Sequence, residues 1–141
     1  MDWNSIKAVL ERAWEDRNLL DQTETRQAVA DVMQGLDEGK LRVAEPLGDG
    51  EWQVNEWVKQ AVLLNFPIQS MQTIEVGPFE FHDKMPLKKG YAKAGVRVVP
   101  HALVRYGAHV GKDCILMPSY VNLGAFVGER TMVDTWATVG S

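Results

Sequence analysis

An aliphatic residue recurs at about every sixth position through the last third of the chain. The series comprises Val98, Val104, Val110, Ile115, Val121, Val127, Val133 and Val139. Small residues form a second series with the same period, at Ala102, Ala108, Cys114, Ser119, Ala125, Thr131 and Ala137. Both series shorten together by one residue, between Cys114 and Ser119, which predicts one continuous structure. A period of six fits neither an amphipathic helix nor an alternating strand, and it is typical of a hexapeptide β-helix.

Each hexad of such a repeat forms one short strand and one corner. The aliphatic side chain points into the interior, and the small residue lets the backbone bend. Three hexads complete a coil, and successive coils stack about 4.8 Å apart. We therefore predict two domains, an α/β N-terminal domain over residues 1–95 and the start of a β-helix domain over residues 96–141. Because a β-helix ending at Ser141 exposes an apolar edge, we expect the chain to be an incomplete portion of a longer protein.

Amphipathic patterns place helices in the first part of the chain. Two apolar faces are predicted, Ile6/Val9/Leu10/Ala13/Trp14 and Val29/Val32/Met33/Leu36. The predicted helix ends are an N-cap at Asp2, an N-cap at Asp21 or Thr23, and a stop at Gly39. A third helix is predicted over 55–65, ended by Pro67.

Short strands are predicted around these helices. The predicted strands are 41–45 and 51–54, which form a hairpin, and 73–76 and 79–81, which flank Gly77-Pro78. Residues 85–95 are predicted to form a loop. The five tryptophans, most of them in the first domain, are interpreted as core or interface residues.

Composition limits the classes of function. The net charge is −4 and the isoelectric point is about 5.3, which argues against non-specific binding to nucleic acid. No apolar run has the length of a membrane span, and the N-terminus lacks the apolar core of a signal peptide. The single cysteine, Cys114, has no partner for an internal disulfide, and its place in the small-residue series predicts a packing role. We therefore expect a cytoplasmic protein with neither nucleic-acid nor membrane partners.

One stretch has a charge balance opposite to that of the whole chain. It contains six cationic residues and no acidic one between its ends, namely Lys84, Lys88, Lys89, Lys93, Arg97 and Arg105. Two interpretations stay open. The stretch is either a solvated connector between domains or a surface that attracts an anionic substrate.

Several motifs together carry a family resemblance that covers the whole chain. They are Leu41-Arg-Val-Ala-Glu45, Lys59-Gln-Ala-Val-Leu-Leu64, Arg97-Val-Val-Pro100, Leu116-Met-Pro-Ser-Tyr-Val-Asn122, Gly124-Ala125 and Thr131-Met-Val-Asp-Thr-Trp-Ala-Thr-Val-Gly-Ser141. This set closely resembles the tetrahydrodipicolinate N-succinyltransferases of bacterial lysine and diaminopimelate synthesis, over about the first half of the family's usual length. The hexads alone would be a weak signal, since many acyltransferases share them.

The resemblance implies a fold and a reaction. The fold is an α/β N-terminal domain followed by the first coils of a left-handed parallel β-helix, in a homotrimer with active sites between adjacent subunits. In the implied reaction, succinyl-CoA is the co-substrate, and it donates a succinyl group to the amino group of the hydrated, ring-opened dicarboxylate. No tightly bound cofactor and no metal are expected. The hand of the β-helix comes from the resemblance alone, because it opposes the usual preference of parallel crossovers.

Two residues match family positions that bind the substrate. Arg97 would hold a carboxylate in a bidentate pair, although the residue alone also reads as a surface arginine at a domain junction. Asp134 would orient the attacking amine or accept its proton, although Asn122 at the equivalent hexad position favours a structural role for it. The resemblance favours the functional interpretation of both, with Asp134 as the catalytic residue.

The resemblance also implies what lies beyond this chain. A second carboxylate and the groove for coenzyme A would belong to later coils, so residues 1–141 alone are expected to be inactive. The segment from Lys84 to Gly95 is shorter than in family members, which bears on the shape of the substrate entrance.

Other assignments remain open from sequence. Another CoA-dependent acyltransferase with a different amine acceptor would carry the same hexads, and so would a non-catalytic trimerising module. Histidine bases occur in some hexapeptide acyltransferases, and His109 is the candidate here, although its corner position favours an exposed turn residue. His82 and His101 fit neither a Ser-His-Asp set nor a recognisable zinc site.

Overall fold

The computed structural model describes residues 2–141, and its first half is built from three helices. They are α1 (Trp3–Glu15), α2 (Thr23–Asp37) and α3 (Glu56–Ile68), with a 3₁₀ helix (Arg17–Asp21) between the first two. Their apolar faces pack on one another around the fully buried Leu10, Val32, Leu36, Val58 and Leu64. The predicted faces of α1 and α2 are therefore confirmed, and this helical core supplies most of the apolar burial in the first half of the chain.

The ends of α1 and α2 depend on different devices. Asp2 caps α1 as predicted, since its Oδ1 accepts a hydrogen bond from the Asn4 N–H at 3.1 Å. The predicted cap of α2 is wrong. Gln22 occupies that position without a side-chain bond, and Asp21 instead pairs with Arg26 at 3.0 Å.

Gly39 ends α2 as predicted. Its φ is +75°, in the left-handed region that favours glycine. The Gly39 N–H donates to the carbonyl of Leu36 at 3.1 Å, and the Lys40 N–H donates to that of Gly35 at 2.8 Å. This pair of bonds is the Schellman arrangement, which satisfies two of the carbonyls left free at a helix end.

A hairpin of β1 (Ala44–Gly48) and β2 (Glu51–Val54) leads into α3. Its two-residue turn is Asp49-Gly50, both with positive φ, which is the geometry of a type I′ turn. The first strand begins at Ala44, three residues later than predicted, because Leu41 packs against the helical core instead.

The prediction that Pro67 ends α3 is wrong, since the helix continues to Ile68. A proline removes one backbone hydrogen-bond donor from a helix. Because Pro67 is one residue before the end of α3, this loss affects only the final turn. The Gln69 N–H donates to the carbonyl of Asn65 at 3.3 Å and closes the helix.

A second hairpin, β3 (Gln72–Val76) and β4 (Phe79–Asp83), surrounds Gly77-Pro78 as predicted and is slightly longer than expected. The segment predicted to be a loop contains one short helix, α4 (Tyr91–Ala94). Glycines in left-handed conformations flank α4 on both sides, at Gly90 and Gly95.

The last third of the chain forms eight strands of two residues each. They are β5 (Arg97–Val98), β6 (Leu103–Val104), β7 (His109–Val110), β8 (Ile115–Leu116), β9 (Tyr120–Val121), β10 (Phe126–Val127), β11 (Met132–Val133) and β12 (Thr138–Val139). Three parallel sheets result, in the orders β5–β8–β11, β6–β9–β12 and β7–β10. Parallel sheets of this kind are consistent with the early coils expected from the hexads.

The inward series differs from the prediction at one position. Leu116 is fully buried whereas Ile115 is only partly buried, so Leu116 belongs to the aliphatic series. The register pairs Val98 with Leu116, 18 residues apart, and Leu116 with Val133, 17 residues apart. The shortened step therefore lies between Leu116 and Val121, where the turn contains one residue fewer.

Both periodic series contribute to one apolar cluster in this region. Its buried members are Val96, Val104, Ala108, Val110, Cys114, Leu116, Val121, Ala125, Val127 and Val133. Leu123 is a buried apolar residue of the same region, but its side chain packs in the helical core of the first half instead. The predicted division of the chain between residues 95 and 96 stays a prediction.

Candidate functional site

Arg97 lies in β5 with its side chain on the outer face of the sheet. The neighbouring Val98 packs against the apolar cluster, and successive residues of a strand point to opposite faces. Arg97 is exposed, and its backbone N–H donates to the carbonyl of Cys114 at 3.0 Å. Within residues 2–141 its guanidinium makes no ion pair, so it is free to bind an anion.

Asp134 follows β11 and opens a four-residue corner. The Ala137 N–H donates to the Asp134 carbonyl at 3.1 Å, which closes a β-turn. The Thr135 N–H donates to Oδ1 of Asp134 at 2.7 Å and so orients the exposed carboxylate. The second oxygen, Oδ2, has no partner among the described residues. The corner therefore holds one oxygen in place and presents the other to solvent.

Arg97 and Asp134 share the outer face of the β5–β8–β11 sheet. Arg97 is in register with Met132 two strands away, and Asp134 lies two residues beyond Met132. Strand spacing and rise per residue then put their Cα atoms about 12 Å apart. The two side chains are thus not in direct contact, and an extended ligand would be needed to join them.

The surface between these two charges is apolar. Val99, Ile115 and Met117 are partly buried, and Met132 is 59% exposed. A cation at one end, a carboxylate at the other and an apolar strip between them match a molecule with charged ends and a hydrocarbon middle.

The cationic stretch is divided by the structure. Lys84 donates to the Phe66 carbonyl at 3.0 Å, Lys88 pairs with Asp37 at 2.8 Å, and Arg105 pairs with Asp83 at 2.9 Å. These three cations are therefore committed to structural contacts. The exposed cations of the stretch are Lys89, Lys93 and Arg97. A surface that attracts anions would therefore include only three of the six cationic residues.

The three histidines each contact a different residue. His109 is not an exposed corner residue as predicted, because it lies in β7, partly buried and stacked on Phe126 at 4.6 Å. Burial lowers its pKa below the usual value, and a hydrogen bond to the Asp37 backbone opposes that shift. His82 contacts Thr73 at 2.8 Å, and His101 meets the edge of Phe79 at 5.1 Å.

Cys114 has the packing role predicted for it. It is buried in the apolar cluster, and its Sγ donates to the carbonyl of Gly128 at 2.9 Å. Asn122 is likewise structural, since its Oδ1 accepts from the Leu123 N–H at 2.9 Å and from the Tyr120 hydroxyl at 3.1 Å.

Trp136 was missed by the sequence interpretation, which treated the tryptophans as packing residues. Its side chain is 85% exposed, and it borders a groove of about 160 Å³. The other residues that line this groove are His101, Leu103, Ser119, Tyr120, Ala137 and Thr138. The signal available in the sequence was position, because Trp136 lies two residues after Asp134 in the same corner.

None of the helices within residues 2–141 combines the length and apolar character required to span a bilayer. In the same residues, no three His, Cys, Asp or Glu side chains are grouped so that they could hold a metal ion.

Comparison with known proteins places the chain in a family. A family model described as "Tetrahydrodipicolinate N-succinyltransferase N-terminal" matches residues 5–68. Curated relatives named 2,3,4,5-tetrahydropyridine-2,6-dicarboxylate N-succinyltransferase match nearly all of the chain. That of Polynucleobacter asymbioticus is 48% identical over 148 residues, covering 97% of this chain and 54% of the relative. That of Acinetobacter baylyi is 47% identical, with 98% and 54% covered.

A third relative, from Parvibaculum lavamentivorans, is 48% identical over 153 residues, which cover 100% of this chain and 54% of that protein. The chain therefore spans about half the length of the curated relatives it matches. By these similarities the chain belongs to the tetrahydrodipicolinate N-succinyltransferase family and corresponds to the N-terminal half of its members.

Proposed function

We propose that the full-length protein is an N-succinyltransferase of lysine and diaminopimelate synthesis. It transfers the succinyl group of succinyl-CoA to the amino group of tetrahydrodipicolinate in its hydrated, ring-opened form. The observation that carries this proposal is the 47–48% identity to relatives with that name over 97% or more of the chain. In this reaction, residues 1–141 supply Arg97 and Asp134, which bind and orient the acceptor.

Arg97 binds a carboxylate of the acceptor. A guanidinium donates two parallel hydrogen bonds to a carboxylate, and an exposed arginine without an ion pair has this capacity free. The apolar strip formed by Val99, Ile115, Met117 and Met132 lies beside the hydrocarbon part of the ligand. The Cα atoms of Arg97 and Asp134 are about 12 Å apart. The extended acceptor and the two side chains that reach toward it together span this distance.

Asp134 orients the acceptor amine and takes up its proton. The amine nitrogen attacks the thioester carbonyl carbon, so an N–C bond forms and the C–S bond breaks, with the sulfur leaving as the thiolate of coenzyme A. The proton released by the nitrogen moves to the free Oδ2 of Asp134 or, through it, to the thiolate. Anchoring of Oδ1 by Thr135 supports this role, because it holds the carboxylate in one orientation.

We further propose that the parallel sheets are the first coils of a left-handed β-helix in a homotrimer. The register of 17 or 18 residues between stacked strands supports three hexads per coil. The apolar outer face that carries Met132 supports a second copy as its cover, since large exposed apolar surfaces mark interaction sites. Arg97 and Asp134 would then face a cleft shared by two subunits, and coenzyme A would bind largely to coils after residue 141.

Acceptor binding provides a direct test of this function. Arg97→Ala in the full-length protein should weaken binding of pimelate, an unreactive dicarboxylate of similar length, at least about tenfold, because one charge-assisted contact is lost. Isothermal titration calorimetry measures the affinity, and succinyl transfer is followed in parallel by release of the coenzyme A thiol. Lys93→Ala is the matched control, since Lys93 is also an exposed cation of the same stretch. Equal pimelate affinity in the wild type and Arg97→Ala would contradict the role of Arg97, and absence of succinyl transfer would contradict the function itself.

A further inference from the structure

Trp136 occupies a corner position where its side chain is not needed by the fold. The corners of the parallel sheets place a left-handed residue at their third position, at Gly107, Asp113, Gly124, Arg130 and Trp136. Glycine is favoured there, and a bulky aromatic residue is the least suited of the five. With φ at +61° and 85% exposure, Trp136 tolerates a disfavoured backbone without burying its ring. A role outside the packing of the chain accounts for this combination.

The indole lies next to the carboxylate proposed to orient the acceptor amine. Trp136 and Asp134 belong to the same turn, and the Trp136 N–H donates to the Pro118 carbonyl at 2.7 Å, which fixes the turn on the preceding corner. Met132 in β11 is in register with Arg97, and Asp134 and then Trp136 follow in the corner after that strand. Along the chain, Asp134 therefore lies between Met132, which is level with Arg97, and Trp136.

This order separates two sides of the reaction. With the acceptor carboxylate at Arg97 and its amine at Asp134, the acyl donor must approach the nitrogen from the opposite side. Trp136 and the groove of about 160 Å³ lie past the corner from Arg97, because Leu103, Tyr120 and Thr138 of the groove belong to the next sheet, β6–β9–β12. Leu103 and Tyr120 give the groove apolar and aromatic walls, and its volume suits a short chain better than a nucleotide.

We propose that Trp136 contacts the acyl chain of the donor thioester and so helps select a short dicarboxylic acyl group. The inference rests on the proposed succinyl transfer and assigns its donor side. The flat face of the indole covers the two methylene groups of the succinyl chain, and the groove beside it admits their far end. Removal of that contact weakens the binding of succinyl-CoA. The binding of free coenzyme A is unaffected, because free coenzyme A carries no acyl group.

The test compares Trp136→Gly with wild type in the full-length protein. Trp136→Gly removes the ring and relieves the left-handed backbone, so the fold is retained. The KM for succinyl-CoA should rise at least about tenfold, the scale of a lost hydrophobic contact, while the inhibition constant of free coenzyme A changes less than about twofold. Trp136→Phe keeps an aromatic face and should stay within about threefold of wild type. Arg130→Gly relieves the same conformation one hexad earlier and should leave both constants unchanged.

Each alternative outcome would overturn the inference. An unchanged KM for succinyl-CoA would exclude contact with the donor, and an equal rise in both constants would assign the contact to coenzyme A itself. A rise confined to the acceptor KM would place Trp136 on the acceptor side. Dissociation of Trp136→Gly into monomers, seen by light scattering, would make the residue a subunit anchor. Wild-type protein without succinyl transfer would overturn the proposed function, whereas an active wild type with normal Trp136→Gly kinetics would overturn this inference alone.

Discussion

At the scale of single residues, the corners decide which side chains are available for chemistry. Asp134 and Asn122 occupy equivalent positions after an inward valine, yet the structure uses them differently. Asn122 Oδ1 accepts hydrogen bonds from Leu123 and Tyr120, so its oxygen is committed to the fold. Asp134 commits one oxygen to Thr135 and leaves the other exposed. The difference explains why one short polar residue stabilises a corner and the other is a candidate for catalysis.

Replacing Asp134 by asparagine separates these two roles. Asparagine can still accept the Thr135 N–H, so the melting temperature should be unchanged, but it cannot accept a proton at neutral pH. Turnover of the full-length protein should fall at least about a hundredfold. Thiol release from succinyl-CoA measures the rate, and Asp113→Asn, at another exposed corner of the parallel sheets, is the control. Near-normal turnover in Asp134→Asn would reduce the residue to a structural corner.

His109 should make stability depend on pH. Burial against Phe126 lowers its pKa in the folded state below the value of about 6.5 that it has when unfolded, and the nearby Lys88 and Arg42 act in the same direction. The Asp37 backbone and carboxylate oppose the shift. The unfolded state therefore binds the proton more readily than the folded state does. The contribution of His109 to the free energy of unfolding is complete above pH 6.5 and is lost as the pH falls through the pKa of the folded state.

Urea unfolding between pH 7.5 and pH 5 tests this dependence. The free energy of unfolding should fall more steeply with decreasing pH in the wild type than in His109→Gln, which has no titrating ring. His82→Gln, at an exposed position, should follow the wild-type curve. Parallel curves for the wild type and His109→Gln would show that burial of His109 does not affect stability.

At the scale of secondary-structure elements, sequence periodicity is most informative where it repeats. The hexads place eight strands, with one misassigned position at Ile115 and Leu116, because adjacent aliphatic residues leave the inward side ambiguous. Single elements are less certain. Pro67 lies inside α3 because a proline so near the end of a helix disturbs only the last turn. Gly39 ends α2 because its φ of +75° is a left-handed conformation that glycine adopts without strain.

Gly39→Ala tests both the helix end and its packing. An added Cβ would strain a φ of +75° and would lie 2.5 Å from Nδ1 of His109. The free energy of unfolding should fall by about 2–3 kcal/mol, from the left-handed penalty and the overpacking together. Gly77→Ala is the matched control, since its φ is +58° with open space around it, and it should lose only about 1 kcal/mol. Equal losses in the two variants would show that the contact with His109 does not matter.

At the scale of the whole molecule, a few polar contacts join the helical core to the parallel sheets. Oδ1 of Asp37, in the last turn of α2, accepts from Lys88 at 2.8 Å and from the Gly107 N–H at 3.0 Å. Lys88 also donates to the Asp37 carbonyl at 3.1 Å, where the negative end of the helix dipole favours a cation. Leu123 adds an apolar contact from the sheets to the helical core. The end of α2 is thus one of the places where the two cores are joined.

Removing Lys88 should weaken this junction. The Lys88 side chain is 9% exposed, so Lys88→Met leaves the Asp37 carboxylate largely buried with only the Gly107 N–H as partner. We expect a loss of about 2 kcal/mol, less than for a fully buried pair because Asp37 is 20% exposed. Lys40→Met, which breaks an exposed pair with Glu38, should stay within about 0.5 kcal/mol of wild type. Thermal unfolding measures both, and equal losses would contradict a structural role for the buried pair.

The amino-acid sequence alone specifies the features that depend on local order. The hexads, the faces of α1 and α2 and the two hairpins follow from residue type and spacing, because burial and turn geometry act over a few neighbouring positions. The roles expected of Arg97 and Asp134 follow from the family resemblance of the motifs around them. Other features depend on packing between residues that are distant in the chain, and these required the folded structure. It committed Lys84, Lys88 and Arg105 to internal contacts, placed the partly buried His109 against Gly39 at the end of α2, and left Trp136 exposed beside Asp134. Whether a charged or aromatic side chain is free to act depends on which surfaces pack against it, and spacing along the chain carries no information about that.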